Sequence, residues 1–407
     1  MFIANRLRLA PSDGGRRSPA VGIAVGGVAL AVIVMMASIA IVVGFQDAIR
    51  QKVAGFEASM SLHPLGNYYA NESNIIELSD VMAEALHEGV PQGQVALVVK
   101  QPVVLKAPEN FAGIVLQGYS SSHDFSFEQS NLIEGELPKG SNDLVISSMT
   151  AGKLGVGLGD RVDGCFFLDG AMKLRRFTVC GIYTSNFGDY DRLTGYADIS
   201  MLQKLRGLES TQGDVIEIRG LAIDEIADAT QQLQKSLGER YDNRELTDGV
   251  SVATLFDSGA MYFNWLALLD ANVVVILIIM SLVSGFTLIS CVFILILQRV
   301  RMIGVLKSLG ATNRQIRRVF MLLGLRVVGL GLLIGNCVGI ALLLLQAHFH
   351  LLPLDPDSYY LTYVPVLLDW RHVLLLNAGA VVLAGMLLLI PASLVSRISP
   401  AKTMHYE

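Results

Sequence analysis

The chain has 407 residues, 52% of them hydrophobic and only 16% charged. Ordinary soluble domains carry about 25% charged residues, so a wholly soluble protein is excluded in favour of a membrane protein with a soluble part. The net charge of −5 is unevenly placed: residues 45–270 hold 17 Lys and Arg against 31 Asp and Glu, net −14, while the rest hold 14 against 5, net +9.

Residues 1–18 carry Arg6, Arg8, Arg16 and Arg17 and are expected to be a cytoplasmic segment. A spanning helix needs about 20 apolar residues in a row, and "AVGIAVGGVALAVIVMMASIAIVVGF" supplies the first, placed at 19–45. A cleaved signal peptide is the rival reading, since basic residues precede the run and "ASIA" offers small residues. The run is long for a signal core, and cleavage would leave three spans.

Residues 46–265 are expected to form an α+β domain. "ASMSLHPL", "QVALVVKQPVVLKA" and "FAGIVLQGYS" read as strands, with β-branched residues and period-two stretches. "LSDVMAEALHEG" reads as a helix with Leu78, Met82, Ala85 and Leu86 on one face. "NDLVISSMTAGKLGVGLGDRVDGCFFL" reads strand, helix, glycine-rich turn, strand; "DISMLQKLRG" and "IDEIADATQQLQKSLGERY" are further helices. Asp169-Gly170 is a two-residue hairpin signal. That register sets Cys165 opposite Leu174 rather than Cys180, so free thiols are expected.

The second span is placed at 270–298, the third at 319–346, a loop at 347–370, the fourth at 371–392 and a tail at 393–407 with Arg397 and Lys402. Short loops rich in Lys and Arg stay cytoplasmic, so both termini and residues 299–318 are expected inside, and the acidic domain and the 347–370 loop outside. Gly22 and Gly26 in the first span, with Ser281, Ser284 and Gly285 in the second, are small residues that suit either close helix contact or room for acyl chains. Gly331, Gly335 and Gly339 fall four apart in the third, the spacing that lets membrane helices approach closely. Arg326, inside the third span, is read as reaching back to the cytoplasmic surface.

Residues 299–318, between spans two and three, carry Arg299, Arg301, Lys307, Arg314, Arg317 and Arg318 and no acid. Val300, Ile303 and Leu306 recur at helical spacing, and Val305 with Leu309 widens the stripe. Gly310 is the expected stop. Thr312 with Gln315 forms an expected capping box that starts the next helix. Such an element can lie against another protein or against lipid headgroups.

No chemistry-bearing motif stands out. GxxxxGK followed by Ser or Thr does not occur, nor does HExxH or GxSxG. His348 and His350 make a poor metal site on their own. No catalytic residue, metal or nucleic-acid partner is expected.

"RVRMIGVLKSLGATNRQIRRVF" resembles the segment after the second span in FtsX-like permeases of ABC systems: a basic cluster, then Ile-Gly, then Leu-Lys before Leu-Gly-Ala and a later Ile. Arg301, Ile303, Gly304, Leu306, Lys307, Leu309, Gly310 and Ala311 carry that pattern. Met302 stands where many members have Glu. "DLVISSMTAGKLGVGLGDRV", "FTVCGIYTSNFGDYDRLTGYADISMLQKLRG", "LPLDPDSYYLTYVPVLLDW" and "IPASLVSRISPAKTMHYE" are similar to lipoprotein-releasing (Lol-type) permeases, in the same order.

The resemblance implies a four-span inner-membrane protein with a large periplasmic domain, whose basic helix docks on a separate ABC ATPase. ATP and Mg would be held by that ATPase, expected as a homodimer. It also implies a second permease copy or paralogue, a lipid-anchored client and a periplasmic carrier. Lol-type subunits that recruit the carrier have a long hairpin hook; here the hairpin between Phe166 and Phe177 is short. Efflux of a peptide or amphiphile, or signalling to a cell-wall hydrolase, would use the same architecture.

Overall fold

A computed structural model of the chain describes residues 19–65, 75–168, 170–246 and 249–394. The expected terminal segment 1–18, tail residues 395–407 and Asp169 of the hairpin turn lie outside the described residues. The chain divides into two compact units. A membrane unit takes residues up to Asp47, Trp265–Pro353 and Tyr363 onward; a sheet unit takes Ala48–Asn264 and Leu354–Thr362.

Among the described residues four helices are long and apolar enough to cross a membrane: Pro19–Phe56, Ala260–Gln298, Asn313–Phe349 and Trp370–Leu394. The α+β unit falls between the first and second in sequence, which is the expected fold class. The helix bounds exceed the expected spans. The first helix continues eleven residues past Phe45, to Phe56. The second begins at Ala260, within the stretch assigned to the soluble domain. Hydropathy marks where a helix leaves hydrocarbon; it does not mark where backbone hydrogen bonding stops. Residues 46–56 keep a buried helical face in Ile49 and Val53.

An apolar cluster of the membrane unit joins Val28 and Val32 of the first helix, Leu288 and Val292 of the second, Val328 of the third and Leu388 of the fourth. The glycine series of the third helix makes this possible. A Cβ on Gly335 would stand 2.9 Å from the carbonyl oxygen of Ala29, and one on Gly331 2.7 Å from the Val28 side chain. Gly339 lies against Met36. These three glycines therefore serve helix packing inside one chain. Gly22 and Gly26 differ: both are exposed, with nothing within 4 Å of a Cβ.

In the sheet unit, ten strands among the described residues form one mixed sheet. In chain order they are β1 Met60–Pro64, β2 Gln94–Lys106, β3 Phe111–Tyr119, β4 Leu132–Gly135, β5 Asp143–Ser147, β6 Arg161–Leu168, β7 Ala171–Tyr183, β8 Thr194–Ala197, β9 Val215–Arg219 and β10 Val250–Thr254. The sheet order is β10-β1-β9-β2-β3-β8-β5-β7-β4, with β6 against β2 and β7. β3–β8 and β5–β7 are parallel and the other pairs antiparallel. Cys165 pairs with Leu174, as the two-residue turn requires, and both cysteines of this unit are free thiols. Helix Asp80–Gly89 starts at the Ser79 cap and buries Met82, Ala85 and Leu86; Leu78, expected within it, precedes the cap. The core centres on Phe166 and Phe177, fully buried beneath helices Ser148–Leu154 and Ile199–Arg206.

The loop expected at 347–370 is not uniform. The third spanning helix runs on to Phe349, and residues 354–362 belong to the sheet unit, with one helical turn at Pro356–Tyr359.

Candidate functional site

The basic element has the stop and restart that its sequence announces. Helix Val300–Ser308 ends as Gly310 takes φ +90°, a conformation that side chains with a Cβ rarely adopt. The backbone N–H groups of Gly310 and Ala311 donate to the carbonyls of Lys307 and Leu306. Thr312 then caps the next helix: its hydroxyl accepts from Gln315 N at 3.3 Å, while its own N–H donates to Gln315 Oε1 at 2.9 Å. Two orphan donors are satisfied reciprocally.

The predicted coupling residues do not share one face. Ile303 is fully buried in the membrane cluster with Ile316 and Phe320, and Gly304 is buried too. Leu306, Lys307 and Ala311 are half-buried. Leu309 is 78% exposed and Val305 54%. The side chain of Arg301 lies outside the described residues. Ile303 packs into the apolar cluster of its own chain, and Gly304 beside it is buried. Side chains advance about 100° per residue on a helix, so Ile303 and Val305 stand about 200° apart. The broad apolar stripe of the sequence is thus two faces of the helix. Val305 and Leu309, four apart, form the outward one.

Ser281, Ser284 and Gly285 of the second helix line an apolar recess. Val28 and Val32 of the first helix and Leu383 and Leu387 of the fourth complete its wall. A second recess shares Ser281, Gly285, Leu383 and Leu387 and adds Ile278 and Phe286. Gly285 is the constriction: a Cβ there would meet Leu387 Cδ1 at 2.6 Å. Between Leu266 and Gly285 no residue of the second helix is buried. Hydrocarbon is the chemistry that such a surface accepts. The third-helix glycines, expected to let helices approach closely, pack against the first helix.

The sheet unit holds two polar constructions that sequence reasoning did not single out. In the first, Arg219 donates to the carbonyls of Gly55 and Phe56 at 2.8 and 2.9 Å, taking the last carbonyls of the first helix, and to Glu217 Oε2. Lys100 Nζ stands 3.4 Å from the other Glu217 oxygen. Burial alone would raise the Glu217 carboxyl, but Arg219 and Lys100 outweigh it and hold the group below the ordinary value. In the second, the short helix Gly188–Leu193 and Phe187 before it gather aromatic rings: Phe56 stacks on Tyr190 at 4.4 Å, and Phe187 packs on Tyr262 at 4.9 Å and on Tyr360 at 4.6 Å. Asp191, beside them, is buried; burial pushes its carboxyl up, against the hydroxyl and backbone N–H of Ser185. The only sequence signal was the aromatic and acidic density of "NFGDYDRL".

Residues 274–400 match the FtsX-like permease C-terminal family, and residues 21–236, more than half of the chain, match the MacB-like periplasmic core domain family. The chain belongs to the FtsX and MacB family of ABC transporter permeases. The permease is 24% identical over 404 residues to the lipoprotein-releasing system transmembrane protein LolC of Xylella fastidiosa (strain 9a5c), an alignment covering 94% of this chain and 92% of that protein. It is 31% identical over 141 residues to LolE of the same system in Haemophilus influenzae, covering 32% of this chain and 34% of that one. The crystal structure of the extracellular domain of the noncanonic ABC-type transporter YknZ from Gram-positive bacteria aligns with a TM-score of 0.34 at 18% identity, over 48% of this chain and 99% of that chain. A permease subunit of this family is not itself an enzyme; ATP hydrolysis belongs to another subunit.

Proposed function

We propose that this permease drives release of lipoproteins from the inner membrane toward the outer membrane. In this reading the acidic sheet unit is periplasmic and both termini are cytoplasmic. A homodimeric ATPase holding ATP and Mg docks on the face of Val305 and Leu309. A second permease, a copy or a paralogue, completes the transporter. The observation that carries the reading is the apolar recess at Ser281, Ser284 and Gly285, on a helix whose stretch from Leu266 to Gly285 is unburied. The likeness to LolC over 94% of the chain supports it.

Magnitude argues for a covered route. Burial of an acyl chain is worth about 0.8 kcal/mol per CH₂, so roughly 15 methylenes are worth about 12 kcal/mol. A client with several chains needs a greasy cavity at departure and a carrier on arrival. The helix Pro19–Phe56 is unbroken, and Ala260–Gln298 likewise. Rigid elements of this length transmit movement of the basic element outward.

The test combines depletion with Gly285→Trp. Depletion leaves lipoproteins in the inner membrane, wild type restores them, and the Trp variant, though it assembles with its ATPase, does not. Intact lipoprotein sorting with sensitivity to an amphiphilic toxin would replace this reading with efflux. A defect confined to cell separation or wall turnover would replace it with signalling.

A further inference from the structure

We propose that residues 354–362, between the third and fourth spanning helices, form a releasable strap held on the sheet unit through Tyr360 and Asp189, and that the strap lets go and redocks in each ATP cycle. The proposal rests on the transporter reading above and adds a moving part to it.

The strap keeps its own shape. Leu354 N donates to the carbonyl of Thr362, Tyr360 N to that of Pro356, and the Ser358 hydroxyl to Asp355 Oδ2 at 2.8 Å. Such a closed loop retains its form when undocked, so release sacrifices few internal hydrogen bonds.

Tyr360 holds it to the unit in three ways. The Tyr360 ring packs on Phe187, and its hydroxyl donates to Asp189 Oδ2 at 3.1 Å. Its carbonyl accepts from Lys52 Nζ at 2.6 Å. Asp355, Ser358, Tyr359 and Thr362 are exposed. Tyr360 also sits at φ +61°, an uncommon conformation for a bulky side chain. Strain of this kind persists only where the surroundings fix it. A small latch at Tyr360 is suited to repeated opening.

The receptor is where the other connections of this unit end. Asp189 Oδ2 also accepts from the hydroxyl of Tyr262, near the start of the second spanning helix, at 3.1 Å. Tyr190 donates to Glu57 Oε1 at 2.7 Å, one residue past the end of the first. Lys52, on that helix, donates to the carbonyl of Ser185 as well as to that of Tyr360. Three separate stretches of chain thus close on Ser185–Asp191. Movement of either helix end displaces the acceptor or the donor that holds Tyr360.

The experiment uses the full permease with its ATPase in lipid nanodiscs. Hydrogen exchange of peptides covering 354–362 is followed without nucleotide and in the vanadate-trapped state. The strap exchanges at least tenfold faster in one state than in the other; equal exchange in both overturns the proposal. Tyr360→Phe, which keeps the ring and removes the hydroxyl, raises exchange in the docked state several-fold, and unchanged exchange there also overturns it. A cleavable bis-thiosulfonate bridging Tyr360→Cys to Asp189→Cys, with the four native cysteines replaced, halts transport until reductant is added; transport that continues with the bridge intact overturns it. Nucleotide-dependent exchange does not involve the client, so failure of the lipoprotein reading leaves this result standing. Equal exchange alongside normal lipoprotein release would sink the strap alone.

Discussion

Asn336 and Asn377 bind each other through both amides: Asn336 Nδ2 donates to Asn377 Oδ1 at 2.7 Å, and Asn377 Nδ2 returns a bond to Asn336 Oδ1 at 3.0 Å. Each also donates to a carbonyl of its own helix, Leu332 and Val373. The pair joins the third and fourth spanning helices, where water is not available to replace a lost partner. Replacing one Asn by Leu leaves the other amide half-satisfied; replacing both removes the polar groups together. The expected double-mutant coupling is about 1 kcal/mol, read from unfolding midpoints in detergent. Strict additivity would show that the two amides do not depend on each other.

Substitutions at Leu309 and Ile303 test docking and folding separately. Leu309→Asp places a charge on the outward face and is expected to abolish pull-down of the ATPase while the melting temperature stays within a degree or two. Gly310→Pro forces φ from +90° toward about −65° and removes the N–H that donates to Lys307, so it should uncouple ATPase stimulation as well. Ile303→Ala empties a fully buried site and should cost about 2–5 kcal/mol of stability. If Leu309→Asp binds the ATPase normally, this face is not the docking surface.

How much of this was legible in the sequence depends on the range of the interactions. The Cys165–Leu174 register and the Thr312–Gln315 capping box are set by neighbours a few residues apart, and the chain spells them out. The length of the first helix beyond Phe45 was hidden, because polar residues such as Gln46 and Arg50 end a hydropathy run without ending a helix. Burial of Ile303 depends on Ile316 and Phe320 after a chain reversal. The meeting of Phe56, Tyr190, Tyr262 and Tyr360 joins residues 133 apart through Glu57–Tyr190 and 171 apart through Asp189–Tyr360. No local period encodes such a meeting.

Glu217 gives a pH dependence with a definite sign. Its carboxyl is held below the ordinary value of 4.5 in the folded chain. The stabilisation is therefore present above 4.5 and is lost as pH falls through the lower folded value. Glu217→Gln leaves Arg219 and Lys100 without their counter-charge and should cost about 3 kcal/mol at neutral pH. The gap between wild type and variant, measured by calorimetry of the full chain in detergent, should narrow below pH 4.5, because only the wild type titrates there. A gap that holds constant down to about pH 3 would contradict the role given to this carboxylate.

Ser121 and Ser308 report the orientation. Both are exposed, Ser121 in a turn of the sheet unit after β3 and Ser308 at the end of the basic helix. The charge split, −14 over residues 45–270 against +9 elsewhere, predicts the acidic unit outside and the basic helix inside, because short segments rich in Lys and Arg resist translocation. The four native cysteines are first replaced; they are free thiols, so no disulfide is lost. Intact cells bearing Ser121→Cys should then label with an impermeant maleimide, and cells bearing Ser308→Cys should label only after lysis. The lysed control separates a shielded thiol from a cytoplasmic one: failure of Ser308→Cys to label even then would mean it is covered by the ATPase, and removal of that subunit should uncover it. Labelling of Ser308→Cys but not Ser121→Cys in intact cells would reverse the topology. It would also move the Val305 and Leu309 face to the side of the membrane where no ATPase can reach it.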